Sequence, residues 1–248
     1  MNTPPRADPR QRRVFAAAGL ALATLSCLFL AELPNAHPNT RAAILMTLGL
    51  IVLWVVVGGV LMRLSRDWVR ESMLARCTHP RVGFVMLATL LALTEELVTT
   101  SMTNAAPIFG APVGAAYITA SANYIDVVLF HSVIVFVPMF VGWTFLLSRY
   151  RFAPGSVLWL FGLTGVVVET MYGGAQAILE FGLWVFVYGL MVYLPAYALQ
   201  DRWGVTPPSR RHYVAAVILP ILFAIPVALV VGIVHPVRVH FPPMVTGS

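Results

Sequence analysis

Long apolar segments separated by short polar loops run along most of the chain. Seven of these segments approach or exceed the roughly 20 residues that a helix needs to cross a bilayer. They cover residues 14–31, 42–62, 82–100, 125–147, 156–174, 181–199 and 213–234. The pattern therefore predicts an all-α fold, a polytopic transmembrane helical bundle with about seven spanning helices.

The loops between these segments are too short to hold a separate folded domain. We expect a cytoplasmic tail over residues 1–13, a single transmembrane domain over 14–234 and an outer tail over 235–248. The first segment could instead be a cleaved signal peptide, because arginines precede it. Its apolar run exceeds the usual length of about 7–15 residues and no A-x-A cleavage site follows, which favours a retained helix.

The composition agrees with a membrane protein. Hydrophobic residues make up 59% of the chain and charged residues only 10%, whereas soluble domains average roughly 25% charged residues. These values exclude a soluble globular protein and a nucleic-acid-binding arm. The lipid bilayer is therefore the expected partner, together with a membrane protein or a lipid-like molecule as substrate.

The basic residues predict the orientation of the bundle. With the N-terminus inside, all but two of the 16 Lys and Arg side chains lie on the cytoplasmic side, and the exceptions are Arg41 and Arg238. Short cytoplasmic loops are enriched in basic residues, so the C-terminus is expected outside. The richness in Arg, Ala and Gly is typical of GC-rich genomes, and we expect an integral protein of a prokaryotic inner membrane.

A few ionisable residues interrupt the apolar segments, and such residues usually mark function because they are costly in a membrane. Glu95 and Glu169 each lie 13 residues into an outward-running segment, which is about 20 Å of helix. His131 lies seven residues into the fourth segment from its outer end, about 10 Å deep. In a hydrocarbon core about 30 Å thick, these side chains and Glu96 reach a similar depth in the outer half.

Neighbouring residues refine this interpretation. Gly162, Gly165 and Gly173 share a helical face with Glu169, and small residues allow another helix to approach closely, so Glu169 is expected to face a helix rather than lipid. Asp126 follows Asn123 at the spacing of a helix N-cap and its third residue. We therefore interpret Asp126 as a capping residue and not as a ligand.

Three carboxylates and one imidazole at one depth are suited to metal-dependent hydrolysis. Carboxylates and neutral imidazoles bind Zn, Mn or Fe, and a neighbouring glutamate can accept a proton from metal-bound water. The hypothesis assigns Glu95 as catalytic base and Glu96, His131 and Glu169 as metal ligands. Two alternatives use the same carboxylates: a small proton- or cation-coupled transporter, and a non-catalytic membrane subunit or assembly factor.

The Glu95–Glu96 pair followed by His131 on the next segment resembles the CAAX-protease and bacteriocin-processing family of intramembrane metalloproteases. That family has an EExxxR motif, an FxxxH motif and a later motif with another His. The resemblance implies a membrane metalloprotease in which Glu95 activates water and His131 supports the site. Thr100 and Val127 stand where the family has Arg and Phe, and Glu169 takes a place comparable to the later motif.

The segment over residues 101–124 carries no charge and is partly apolar. Two interpretations remain open for it. It could re-enter the membrane, which is acceptable only where protein or a water-filled cavity surrounds the backbone. It could equally be an ordered outer loop with a Pro-Gly turn.

Overall fold

The computed structural model describes residues 9–237 and 239–241, with the backbone alone for residues 9–12 and 14. Ten α-helices follow one another along this part of the chain, together with a π-helical segment, two short 3₁₀ helices and isolated β-bridges. The helices are α1 (Pro9–Glu32), α2 (Pro38–Leu50), α3 (Gly59–Arg76), α4 (Pro80–Asn104), α5 (Tyr124–Phe130), α6 (Val133–Leu147), α7 (Pro154–Gly173), α8 (Gln176–Leu179), α9 (Phe181–Ala198) and α10 (Arg210–Val234).

The predicted all-α bundle is confirmed. Within the described residues, six helices are long and apolar enough to cross a membrane, or seven if α5 and α6 form one bent span. The first helix begins at Pro9, before the predicted start of its span. The protein is therefore a multi-pass integral membrane protein.

The second span is longer than predicted. A π-helical segment, Ile51–Gly58, joins α2 to α3. Pro38–Arg76 is therefore one continuous helix of 39 residues, apolar in its first part and polar toward its end. Its length of about 58 Å exceeds the roughly 30 Å of the hydrocarbon core, so its arginine-rich end must project from the membrane. An ion pair between Arg70 and Asp201 ties this end to the segment between α9 and α10.

Helix α9 occupies the centre of the bundle, where 72% of its most apolar window is buried. It packs against α1, α3, α4 and α7. Three glycines allow the closest approaches, because a Cβ added at Gly162, Gly182 or Gly189 would lie 2.5 to 2.7 Å from backbone atoms of the facing helix. The π-helical segment contacts α9 as well, and Trp54 Nε1 donates a hydrogen bond to the Val187 carbonyl at 3.1 Å.

The segment between α4 and α5 is an ordered loop at the predicted outer end of the bundle. It contains a 3₁₀ turn over Ala106–Phe109 and packs against Ala42 and Met46 of α2. The Thr103 hydroxyl accepts from the Ile118 amide, and the Asn104 side chain donates to the Ala122 carbonyl. These contacts agree with the ordered-loop interpretation.

The fourth span is not the single straight helix that the sequence predicts. Helices α5 and α6 meet at His131 and Ser132 with a bend of 43°. Both amides at the break donate to the Val127 carbonyl. The break therefore places two polar side chains at the inner end of α5, where an unbroken helix would have continued.

Candidate functional site

The structure divides the four predicted site residues between two neighbouring clusters. Glu95, Glu96 and Glu169 belong to a carboxylate cluster formed by α4, α7 and α9. His131 belongs to a histidine cluster formed by the α5–α6 break and the segment after α10. The two clusters adjoin at Ser132, which follows His131 in the chain and interacts with the Glu96 carboxylate.

The carboxylate cluster lies inside the bundle. Glu95 and Glu96 are 4% and 6% exposed, and both are within electrostatic range of Glu169. The Thr99 hydroxyl donates to Glu95 Oε1 at 2.7 Å, and the buried Tyr188 hydroxyl donates to Glu169 Oε1 at 2.6 Å. Glu169 thus faces α9, as the glycine stripe on its helix predicts.

Among the described residues, the carboxylate cluster has no basic counterpart. None of the ion pairs formed by the described residues includes Glu95, Glu96 or Glu169, and Glu96 Oε2 has no hydrogen-bond partner among them. Buried carboxylates without cations are very costly when ionised. The cluster is therefore suited to holding protons or a cation and to exchanging them.

The histidine cluster contains two residues to which the sequence interpretation assigned no role. The ring nitrogens of His131, His235 and His240 offer ligand atoms that all lie within 4.8 Å of one another. The His235 and His240 rings stack with centroids 4.1 Å apart. His240 is anchored to the loop between α4 and α5, because its amide donates to the Ala120 carbonyl at 2.7 Å.

Asp126 completes this cluster. Its Oδ1 lies 3.1 Å from His235 Nε2 and its Oδ2 lies 3.5 Å from His131 Nε2. Asn123 is the helix cap, since its side chain accepts from the Ile125 and Asp126 amides. The interpretation of Asp126 as a capping residue is thus wrong for its side chain, which points at two histidines.

Three facing atoms of the histidine cluster lack hydrogen bonds within the described structure, whereas His240 Nε2 lies 2.5 Å from the Val237 carbonyl. Among the described residues, Asp126 Oδ2, His131 Nε2 and His235 Nε2 are buried without a hydrogen-bond partner although they face one another. In a tetrahedral zinc site with bonds near 2.1 Å, adjacent ligand atoms are about 3.4 Å apart. The two carboxylate–imidazole distances, which end on different oxygens of Asp126, bracket that value. The carboxylate therefore lies close enough to each imidazole to share an ion with it.

The structure does not assemble the predicted ligand set of Glu96, His131 and Glu169. Within the part of the chain that the structure describes, His131, His235 and His240 are the group of three possible ligands that approach closely enough for one ion. Glu96 and Glu169 lie instead with Glu95. The sequence did contain a signal for the added ligands, namely two histidines five residues apart directly after the last span.

On the predicted topology, the buried carboxylates and histidines of the two clusters lie in the outer half of the bundle, whereas the buried polar residues Thr144 and Ser156 of the inner half are uncharged. The inner half is filled by apolar side chains with no exposed surface, among them Phe84, Phe140, Trp143 and Phe161. The Phe140 and Phe161 rings contact each other directly. The two clusters are therefore accessible from the outer side or laterally from lipid, and an aromatic layer separates them from the cytoplasmic side.

Comparison with known proteins does not assign a function to the chain. No protein-family model, no curated protein and no solved structure matches the chain. The resemblance to the CAAX-protease and bacteriocin-processing family therefore stays a prediction that depends on Glu95, Glu96 and His131.

Proposed function

We propose that the protein is a metal-dependent membrane enzyme that hydrolyses a membrane-borne substrate. The observation that carries the proposal is the proximity of three imidazoles, whose ligand atoms lie within 4.8 Å of one another, to the Asp126 carboxylate. Asp126 Oδ2, His131 Nε2 and His235 Nε2 are buried without a hydrogen-bond partner among the described residues. His131, His235 and His240 would hold the ion together with Asp126. Imidazole and carboxylate ligands suit Zn, Mn or Fe, and such ions activate water as a nucleophile for hydrolysis.

Two glutamates are candidates for the base that accepts the proton of the activated water. The sequence hypothesis assigns Glu95 to this role. The contact between Glu96 and Ser132, directly after a proposed ligand, favours Glu96, and its Oε2 is a free acceptor among the described residues. Glu169 and Tyr188 would then share protons with this pair from the other side.

Hydrolysis is favoured over cation transport by the inner half of the bundle. A cation transporter needs ionisable groups or a water-filled path on both sides of its binding site. Here the buried rings of Phe84, Phe140 and Trp143 occupy the region below the carboxylates. The same carboxylates could instead anchor a partner subunit, and in that case no ion is needed at the histidines.

The metal content of detergent-purified protein tests the proposal. We expect close to one Zn, Mn or Fe ion per chain in the wild type, and a loss of most of it in His235→Ala and His240→Ala. His79→Ala is the matched control, because His79 is an exposed histidine whose side chain makes no capping bond at the start of α4. Circular dichroism and size-exclusion profiles establish that each variant is folded.

Activity then separates the two roles. Glu96→Gln and Glu95→Gln should keep the metal, and the variant that removes the base should lose hydrolysis of a panel of membrane peptides and ester lipids. Folded wild-type protein that binds none of the three ions after reconstitution would overturn the proposal. Metal that survives the loss of both His235 and His240 would also overturn it.

A further inference from the structure

The chain lies against the outer end of the bundle after α10. Residues 235–237 and 239–241, which we call the C-terminal strap, carry two of the three proposed histidine ligands. His240 pairs with Ser121 in an isolated parallel bridge, and its amide donates to the Ala120 carbonyl at 2.7 Å. Whatever holds the strap against the loop between α4 and α5 therefore also sets the position of an imidazole of the site.

Backbone hydrogen bonding alone does not explain how the strap is held. Among the described residues, the His240 amide makes the one backbone hydrogen bond from the strap to the loop. The His240 side chain bonds within the strap, to the Val237 carbonyl. One such bond contributes less than it costs to order several residues, so side-chain packing must supply the rest.

Phe241 supplies this packing. Its ring stacks on the Tyr117 ring of the loop, with centroids 4.8 Å apart and an interplanar angle of 30°. An aromatic pair of this kind stabilises beyond the area that it buries. Gly114 touches the same side chain, since an added Cβ would lie 2.8 Å from Phe241 Cβ and 3.1 Å from its Cγ. Only a glycine at this position lets the loop backbone come so close to Phe241.

The conformation of Gly114 makes the same demand. Its φ is +90°, a region that glycine adopts without strain and that other residues rarely adopt. The loop thus presents a glycine backbone and a tyrosine ring to one phenylalanine. We call Gly114 and Tyr117 the seat of Phe241.

The strap also fixes the imidazole of His240. A carbonyl oxygen only accepts, so the contact between His240 Nε2 and the Val237 carbonyl at 2.5 Å requires a proton on Nε2. Nδ1 is then the nitrogen with a free lone pair. Histidines that bind metals commonly donate their other nitrogen to a carbonyl or carboxylate, which fixes the ring. The strap therefore holds His240 in a tautomer that can bind an ion.

We infer that Phe241 is a positioning residue, which locks the C-terminal strap into its seat and thereby holds His240 at the proposed metal site. Phe241 follows His240 directly, and the peptide between them is planar, so fixing the one residue fixes the backbone of the other. The effect on metal binding rests on the proposed function. The lock itself depends on no ion and is tested without one.

Hydrogen–deuterium exchange in nanodiscs containing EDTA measures the lock alone. The His240 amide, bonded to Ala120, should exchange slowly in the wild type because a closed structure protects it. Phe241→Ala and Gly114→Ala should speed exchange of peptides that cover residues 239–241 by about 10-fold or more. The first variant removes the ring, and the second drives it from its seat.

Gly110→Ala is the matched control for Gly114→Ala. Gly110 belongs to the same loop and also has a φ of +90°, but nothing lies within 4 Å of its added Cβ. The two variants share the backbone strain, and only Gly114→Ala clashes with Phe241. Exchange in Gly110→Ala should therefore match that of the wild type.

Metal affinity, measured by competition with a chelating dye, tests the positioning of His240. Phe241→Ala and Gly114→Ala should weaken the affinity by about 10- to 100-fold, the range found when groups that orient ligands are lost. Phe241→Tyr keeps the aromatic ring and should restore both the affinity and the slow exchange. Size-exclusion profiles and thermal unfolding establish that each variant is folded.

The outcomes separate this inference from the proposed hydrolase. Fast exchange of the strap in the wild type, or slow exchange in Gly114→Ala, would overturn the lock. Fast exchange in Phe241→Ala with unchanged metal affinity would overturn the positioning of His240 and leave the other ligands in place. A locked strap in a protein that binds no metal would reject the hydrolase and retain the lock. Fast exchange and weak affinity together in both variants, with Gly110→Ala unaffected, would support the inference.

Discussion

Replacing Gly162 with alanine should destabilise the bundle, although alanine is the better helix former. Gly162 lies in α7 where it meets α9, and a Cβ built there would be 2.5 Å from the Val185 carbonyl oxygen and 2.8 Å from Val185 Cα. Ordinary contacts of a Cβ begin near 3.4 Å. The obstructing atoms are backbone, so no side-chain rotation relieves the clash.

The size of the effect follows from these distances. The two helices must separate by close to 1 Å, and overpacking of this kind costs about 1–3 kcal/mol. Helix propensity returns at most about 1 kcal/mol when glycine becomes alanine. The separation also disturbs the reciprocal contact at Gly189, whose added Cβ would lie 2.7 Å from the Leu158 carbonyl. The net change should therefore be destabilising.

Thermal unfolding of the purified protein in one detergent measures the difference. One kcal/mol corresponds to about 2–4 °C in a chain of this size, so Gly162→Ala should lower the Tm by a few degrees. Gly19→Ala is the matched control, since nothing lies within 4 Å of its added Cβ, and it should be neutral or stabilising. A Gly162→Ala variant at least as stable as Gly19→Ala would refute the close approach of α7 and α9.

Three further outcomes are expected. Asp126→Asn should weaken metal affinity by about 10- to 100-fold if Asp126 orients the ligands, and by more if it is itself a ligand. Competition titration with a chelating dye measures this affinity, and an unchanged value would show that Asp126 is not part of the site. Tyr188→Phe removes the hydroxyl that donates to Glu169 and should lower the free energy of unfolding by about 1–3 kcal/mol. The loss should appear as a lower Tm, whereas an unchanged Tm would show that water replaces the donor. In a cysteine-free background, Asn35→Cys should react with a membrane-impermeant maleimide in intact cells and Arg151→Cys only after permeabilisation; the reverse pattern would contradict the predicted topology.

Much of the architecture follows from the sequence because membrane helices must satisfy their backbone hydrogen bonds internally. Apolar length then locates the spans, and six or seven of them appear as predicted. The spacing of the glycines along α7 also places them on one face with Glu169. Spacing alone therefore predicts that Gly162 and Gly165 contact another helix, which is α9, and that Glu169 points inward. The common depth of Glu95 and Glu169 is likewise a prediction from counting residues along regular helices.

The histidine cluster could not be found in this way. Counting residues predicts the position of a side chain only as far as the helix continues. The histidine cluster lies where helices break or end, with His131 at the α5–α6 break and His235 and His240 beyond α10. Residues more than 100 positions apart in the chain meet there because the loop between α4 and α5 folds over the outer end and accepts the backbone of His240.

Hydrophobicity by itself determined that the chain is a membrane protein and which helices are apolar enough to span the bilayer. It also predicts the depth of the glutamates, because each of these properties depends on one segment and the bilayer. Only the tertiary structure decided which polar groups meet. It placed Glu95, Glu96 and Glu169 in one cluster and directed Asp126 to histidines, since those contacts depend on the rotation and bending of several helices relative to one another, which no single segment encodes.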